Sequence, residues 1–265
     1  MSSTTKTTFK IVASPSPKAQ SVKKRVKMHF LDWLEVETNN PDYLFIIGGD
    51  GTFIREALNH NKPGVKIVGI NGGTVGFYAA FSDQQVDVLC KNLRDESFRQ
   101  IHLLDLDVGG IKTVAVNELS IVSSTAYPLD IYFNDIFYEK FRGTGVLVGT
   151  RAGSTGFVKS ARGAVVFPGV DCIEFVELDP LLHVGFITIQ APIILPSDTI
   201  ITIKPAREYT QESNCPRVYA DGNEINKNFC VGKIVVKPVK SAAKFLLPNN
   251  HAEFIKKLQS TFIKG

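Results

Sequence analysis

The sequence predicts an α/β domain followed by a β-rich domain, and three observations carry that reading. Leu44-Phe45-Ile46-Ile47 runs straight into Gly48-Gly49-Asp50-Gly51-Thr52 and then into Phe53-Ile54-Arg55-Glu56-Ala57-Leu58. A short, continuous apolar run bounded by glycines suits a strand buried on both faces, so this stretch reads as strand, tight turn, helix. Val65-Lys66-Ile67-Val68-Gly69-Ile70 repeats the pattern ahead of a second glycine turn, Asn71-Gly72-Gly73-Thr74. After about residue 97 the apolar period becomes alternating, and Pro and Gly punctuate short strands. The expected domains are 1–97, with a C-terminal helix at 249–265 packing back, and 98–248.

Phe9 to Ser14 reads as the first strand, and Ser14-Pro15-Ser16-Pro17 ends it. Ala19, Val22, Val26, Phe30 and Trp33-Leu34 then recur at helical spacing, with Lys23, Lys24, Arg25 and Lys27 as the solvated face. Ser82 can cap a helix containing Val86, Leu89, Cys90 and Leu93. Gly109-Gly110 and Asn134-Asp135 are hairpin signals between alternating runs. A Gly/Ser/Thr loop and one helix follow Val146-Leu147-Val148. Phe186 to Gln190, Thr199 to Lys204, Arg217 to Ala220 and Lys233 to Lys237 are further expected strands. Ala252, Phe254-Ile255, Leu258 and Phe262 form the apolar stripe of the last helix.

Strand, glycine turn and helix place ligands beyond the carboxyl ends of strands in an open α/β sheet. Glycines let the backbone approach phosphate oxygens, and a helix N-terminus favours anions. Gly48, Gly49, Thr52, Asn71 and Gly72 are the phosphate candidates, the two turns following strands at one edge. The same residues also suit an ordinary turn, with Asp50 or Thr52 capping the helix. The loop is not a Walker A motif, because no Lys follows it at the required spacing, and no GxGxxG occurs in the chain. Bound phosphates would therefore need Mg²⁺ or another divalent cation, or Arg55, to offset their charge.

Composition bounds the function from the other side. The chain has 265 residues, 44% apolar and 21% charged, with a net charge of +4. That suits a globular protein acting on small anions and does not suit nucleic-acid binding. No apolar run approaches ~20 residues and the first residues carry no apolar signal core, so no membrane segment and a cytoplasmic place are expected. Cys90, Cys172, Cys215 and Cys230 stand far apart, so free thiols are expected, and neither they nor the five histidines have metal-ligand spacing. Ser154 lacks a GxSxG context and a His–Asp pair in reach, against a serine hydrolase.

The glycine loop also carries a family resemblance. Gly48-Gly49-Asp50-Gly51-Thr52 resembles the GGDGT segment of NAD kinases, diacylglycerol and sphingosine kinases and 6-phosphofructokinases. Four further segments resemble NAD kinases alone: Asn71 to Phe77, Asn117-Glu118, Arg142-Gly143-Thr144-Gly145, and Gly153-Ser154-Thr155-Gly156-Phe157. Five segments in order across nearly the whole chain are similar to a bacterial-type NAD kinase. The resemblance implies an α/β N-terminal domain and an all-β, β-sandwich C-terminal domain with NAD between them. It implies transfer of the γ-phosphoryl group of ATP to the 2′-hydroxyl of NAD, in a homodimer or homotetramer in which a neighbour completes the site. Asp50 would be the general base, or would help hold the cation. Asn117 and Glu118 would take ribose hydroxyls. Thr155 to Ser160 would cradle the dinucleotide, with Phe157 on a ring. Gly51, Phe77, Tyr78, Arg142, Thr144, Gly156 and Asp179 complete the expected NAD contacts, although Phe77 and Tyr78 equally suit core aromatics under the turn. Two residues depart from the family pattern: Thr144 stands where an acid is usual, and Phe157 where Tyr is usual. Asp179 is an alternative source of the missing charge. The competing functions are a lipid-type kinase with the same loop and a non-catalytic nucleotide sensor.

Overall fold

The computed structural model describes residues 6–72, 76–79, 81–182, 185, 187–206, 215–247 and 251–263. The chain forms two compact units, 1–101 with 241–265, and 102–240.

The first unit opens with β1 (Thr8–Ala13), α1 (Pro17–His29), β2 (Leu34–Glu35) and β3 (Tyr43–Gly48). It continues with α2 (Asp50–Asn59), β4 (Lys66–Asn71), β5 (Phe81–Ser82) and α3 (Val86–Asn92). The second unit holds β6 (His102–Val108), β7 (Ile111–Ala115), β8 (Glu118–Phe133) and β9 (Ile136–Thr150). After a 3₁₀ turn at Ala152–Thr155 come α4 (Phe157–Ser160), β10 (Cys172–Leu178), β11 (Ile193–Pro196) and β12 (Ile201–Pro205). β13 (Arg217–Ala220), β14 (Asn223–Asn226) and β15 (Ile234–Lys240) end that unit, and the chain returns to the first with β16 (Lys244–Leu246) and α5 (His251–Phe262).

The first unit's sheet runs β16-β4-β3-β1-β2, with β5 on β4, and every pair is parallel. β3 is buried along its whole length, as a strand covered on both faces must be. α1 begins with Ser16 capping Ala19 N at 3.2 Å and Pro17 in the first turn, and it buries Ala19, Val22 and Val26. It ends at His29, so Trp33 and Leu34 fall outside it. Leu34 pairs instead with Thr8, while the Trp33 ring packs on Phe30 at 4.3 Å. Ser82 caps not α3 itself, as expected, but the 3₁₀ turn Asp83–Gln85 that leads into it, with Gln85 reaching back to Ser82. Lys244–Leu246, expected in the second domain, adds an edge strand here, so the C-terminal helix is tied to this sheet by its own strand.

The second unit is one hydrogen-bonded sheet of ten strands, antiparallel throughout. The β6–β7 and β8–β9 hairpins turn at Gly109-Gly110 and Asn134-Asp135, whose positive φ values suit the right-handed twist of the flanking strands. β8 pairs with β13 over Leu119–Val122 and with β12 over Leu129–Phe133, and its register against β9 shifts between these halves. Both halves bury side chains in one core that includes Leu119, Ile121, Leu129, Ile131 and Phe141.

The opposite face of that shift is the segment Gly143-Thr144-Gly145. Gly145 has φ +154, and a Cβ there would stand 2.0 Å from Ile121 O. One at Gly143 would meet Leu178 O at 2.6 Å. The strands cross too closely for any side chain but hydrogen. The expected strand at 186–190 does not form over the described residues 187–190. Cys215 and Cys230 are bonded to each other, against the expectation of four free thiols. They flank the β13–β14 hairpin, which brings their Cα atoms to 5.1 Å, a proximity that a 15-residue spacing in sequence conceals. Cys90 and Cys172 are buried and free.

Candidate active site

In the first unit the site is built where β3 ends. Gly48 closes the strand, Gly49 is the N-cap of α2, and Asp50 occupies the helix's first turn. A Cβ at Gly48 would press on the Thr52 side chain at 3.1 Å, so this glycine serves packing. At Gly49 and Gly51 a Cβ would meet nothing within 4 Å, so the loop's outer face is open beside the amides of a helix N-terminus. Gly72 lies against the loop from β4, its N–H donating to Gly48 O at 3.3 Å, and a Cβ there would clash with Ala19 at 3.0 Å. Asn71 is the last residue of β4 and stands opposite Gly48 in register. Gly73, Thr74 and Val75 lie outside the described residues.

Asp50 is held by backbone. Its Oδ2 accepts the Phe77 N–H at 3.0 Å and its Oδ1 accepts the Tyr78 N–H at 3.1 Å. A Cβ at Gly76 would stand 2.9 Å from Oδ1, so a side chain at 76 would displace the carboxylate. The aromatic rings beside these amides have protein partners. Tyr78 is buried and stacks on Phe53 at 4.9 Å, and Phe77 stacks on Phe262 at 5.6 Å. Their side chains thus follow the core-aromatic reading, while their amides orient the acid. Arg55 is exposed and its Nε donates to Glu56 Oε1 at 3.0 Å, the arrangement of a helix-surface ion pair.

In the second unit, Asn117 and Glu118 stand where β8 begins. Asp221, at the β13–β14 turn, accepts three backbone N–H groups: Val116 at 2.8 Å, Asn117 at 2.7 Å and Glu118 at 3.2 Å. Thr150 closes the other side, its hydroxyl donating to Val116 O at 2.7 Å and its N–H to Asn117 O at 2.8 Å. The 3₁₀ turn lies against this strand start: a Cβ at Gly153 would stand 2.4 Å from Asn117 O. One at Gly156 would lie 3.7 Å from Asn117 Nδ2 and 3.8 Å from Glu118 Oε2. Glycine at 153 is therefore required by the approach of two backbones. Gly156 is thereby brought beside Asn117 and Glu118. Ser154 is not a ligand, because it is buried and its Oγ accepts the Val166 N–H at 3.0 Å.

Glu118 is only 6% exposed, and among the described residues its Oε2 is buried without a hydrogen-bond partner. Burial, helped by the nearby Asp221 charge, pushes its carboxyl up to about 7. A buried acid with an unpartnered oxygen keeps acceptor capacity for a ligand.

A cavity of about 630 Å³ in the second unit is lined by Thr144, Phe157, Ser160, Glu177, Asp179 and Gln190, among others. That size is within the ordinary range of small-ligand sites. Thr144 Oγ1 donates to Asp179 Oδ2 at 2.8 Å, which sets an acid beside position 144. Asp179 has φ +43, the left-handed conformation in which the chain leaves β10. Glu177 receives Thr188 Oγ1 at 2.9 Å and Gln190 N at 3.1 Å. Behind it, burial and the neighbouring Glu177 carboxyl push the Glu139 carboxyl up to about 8. Phe157 is 44% exposed, available as a ring surface rather than a core residue. Arg142 lies opposite Pro128 on β9 and its carbonyl accepts the Leu181 N–H at 2.7 Å.

The comparisons with known proteins agree over nearly the whole chain. Residues 2–97 match the ATP-NAD kinase N-terminal domain and residues 116–246 the ATP-NAD kinase C-terminal domain. The chain belongs to the NAD kinase family. It is 42% identical to the NAD kinase of Mycoplasmoides gallisepticum, over 97% of this chain and 94% of that one. It is 37% identical to that of Mycoplasma pneumoniae, over 97% and 98%. In fold it resembles a yeast NADH kinase solved with NADH, TM-score 0.81 at 18% identity, covering 97% of this chain and 88% of the other. It also resembles an Archaeoglobus fulgidus NAD kinase solved with ATP, TM-score 0.76 at 20% identity, covering 96% and 99%.

Sequence reading passed over Asp221. Asp221-Gly222 is legible as a hairpin turn, and nothing in that pattern says that its carboxylate clamps three amides of another strand. Glu139 is likewise hidden in an alternating strand.

The clamp yields a pH prediction. A carboxylate accepts two hydroxyls where a carboxyl accepts one and donates one. If the ionised form of Glu118 binds substrate, kcat/KM for NAD falls as pH drops through about 7, because protonation removes that form. Asp221→Asn removes the neighbouring negative charge and should move this limb to lower pH, while Glu118→Gln should abolish it. The check is kcat/KM against pH for the three proteins; a limb unmoved in both variants contradicts the assignment.

Proposed function

We propose that the protein phosphorylates NAD with ATP, giving NADP and ADP. The 2′-oxygen of the adenosine ribose attacks the γ-phosphorus, the bond to the bridging oxygen breaks, and the hydroxyl proton passes to Asp50. The observation that carries this reading is a single carboxylate fixed by two backbone amides at a helix N-terminus, beside two glycines with open space. Such a geometry supplies an oriented base next to donors for phosphate oxygens, which is most of what phosphoryl transfer asks of a protein.

Glu118 and Asn117 take ribose hydroxyls, as their placement beside Gly156 supports. Phe157 gives a ring surface at the cavity. Among the described residues no group of three or more acids, histidines and cysteines is placed to hold a metal. Asp50 offers a single carboxylate, which fits Mg²⁺, a cation that keeps several waters and takes one or two carboxylates plus substrate phosphates. Asp50 is the residue that would hold it, and the cation, when bound, would offset phosphate charge.

The second unit exposes Leu181, Leu182, Ile187, Ile189 and Ile194 near the cavity-lining Pro180 and Gln190. An apolar surface of this kind supports a homodimer or homotetramer in which a second copy covers it. No helix among the described residues is long and apolar enough to cross a membrane. We assign the protein to the cytoplasm, where NAD and ATP are available. A lipid-type kinase is set aside by the two family domains. A non-catalytic sensor is decided by turnover alone.

Incubation with ATP, Mg²⁺ and NAD, read by an NADP-specific assay with polyphosphate as the alternative donor, tests the reading. Asp50→Asn should lower kcat by about 10²–10⁴ with little change in Tm. Turnover within severalfold of wild type would remove Asp50 as base, and an altered divalent-cation requirement would make it the metal holder.

The acids of the cavity set a second expectation. The oxidised nicotinamide ring is cationic and the reduced ring neutral, and Coulomb attraction grows where water is excluded. Asp179→Asn should lower the ratio of kcat/KM for NAD⁺ over NADH, and Thr144→Val should lower it less. A ratio unchanged in Asp179→Asn would place Asp179 away from the ring.

A further inference from the structure

The chain's last helix reaches the catalytic loop. Lys257, on α5, donates from Nζ to Gly76 O at 3.0 Å and also to Ala79 O. These two carbonyls bracket the turn whose next amides, Phe77 N–H and Tyr78 N–H, bind the two oxygens of Asp50. The turn is thus held on both sides by opposite charge: an ammonium on its carbonyls and a carboxylate on its amides. Two aromatic contacts fix the same approach, with Phe77 stacked on Phe262 at 5.6 Å and set edge-on to Phe254 at 6.0 Å. Gly76 permits it, because any Cβ there would meet Asp50 Oδ1 at 2.9 Å.

We propose that Lys257 is a positioning residue for the Asp50 carboxylate, acting from the C-terminal helix through the turn at 76–79. The inference rests on the reading of Asp50 as the residue that takes the hydroxyl proton. Lys257 touches neither substrate nor reacting atom in this account. Its ammonium orients the carbonyls, the rigid peptide planes orient the amides, and the amides fix the angle of the carboxylate. Burial lowers the Lys257 ammonium from its ordinary value, while the charges of Asp50 and Glu253 draw it back up, which is the balance expected of a half-buried cation kept by acidic neighbours. The arrangement makes the segment from about residue 251 onward part of the catalytic apparatus.

A double-mutant cycle tests this, because a residue acting through Asp50 has little to lose once Asp50 is changed. Lys257→Met keeps the stem and removes the ammonium. It should lower kcat between about tenfold and 10²-fold, the loss expected of a misplaced catalytic group. KM for NAD should stay within about twofold, since the ribose ligands are elsewhere. In the Asp50→Asn background the same change should cost less than about twofold. Lys257→Arg, which keeps charge and donors, should recover most of the loss. Equal losses in both backgrounds would overturn the proposal and leave Lys257 as a stabiliser of the fold; so would no loss in the wild-type background. If Lys257→Met does not fold, Lys257→Gln, retaining one donor group, is read in the same cycle against the same outcomes. Should Asp50→Asn itself keep wild-type turnover, it is the reading of Asp50 that fails, and the cycle reports this separately from any failure of Lys257.

Discussion

The capture of one carboxylate by two adjacent amides is the contact around which the first unit arranges its glycine loop. Asp50 needs a buried strand behind it, a helix N-terminus under it and a turn over it. β3 gives the first, α2 the second, and the chain after β4 the third. Each glycine of the loop then has a separate reason. Gly48 makes room for Thr52 and Gly76 makes room for the carboxylate itself, while Gly49 and Gly51 leave space that the protein does not fill. A carboxylate bound to amides in this way has lost its freedom to rotate before any ligand arrives, which is how preorganisation lowers a barrier.

The second unit solves a related problem with the opposite balance. Asp221 spends its charge on three amides, as a clamp. That fixes the start of β8 and leaves Glu118 buried beside a second acid, with one oxygen unpartnered. The cost is a carboxyl raised to about 7, and what it makes possible is an acceptor that a ligand can satisfy. The cavity lined by Glu177 and Asp179 follows the same logic of acids kept in place by hydroxyl and amide donors.

Most of the strands, the helices and the first glycine turn are legible in the sequence because local rules govern them. β3 is buried on both faces, α1 has a cap and a proline, and the Asn134-Asp135 hairpin needs positive φ. Gly156 lies beside Asn117 and Glu118, an approach between distant segments that no local pattern encodes. What escaped was set by long-range pairing. Trp33 fits the helical period of α1, yet aromatic packing on Phe30 and Tyr43 takes it out of the helix. Cys215 and Cys230 meet only because a hairpin folds between them. Asp221 and Lys257 look like a turn residue and a helix-surface charge until the fold sets them against residues more than a hundred positions away. Phe77 and Tyr78 draw attention by their rings, whereas it is their backbone amides that bind Asp50.

The protein holds Asp50 by the Phe77 and Tyr78 amides before substrate binds. Amide hydrogen exchange of the ligand-free protein measures this directly. Both amides should be protected in the wild type, and both should exchange fast in Asp50→Ala while the amides of β3 keep their protection. Rapid exchange at Phe77 and Tyr78 in the wild type, or protection that survives Asp50→Ala, would contradict the account.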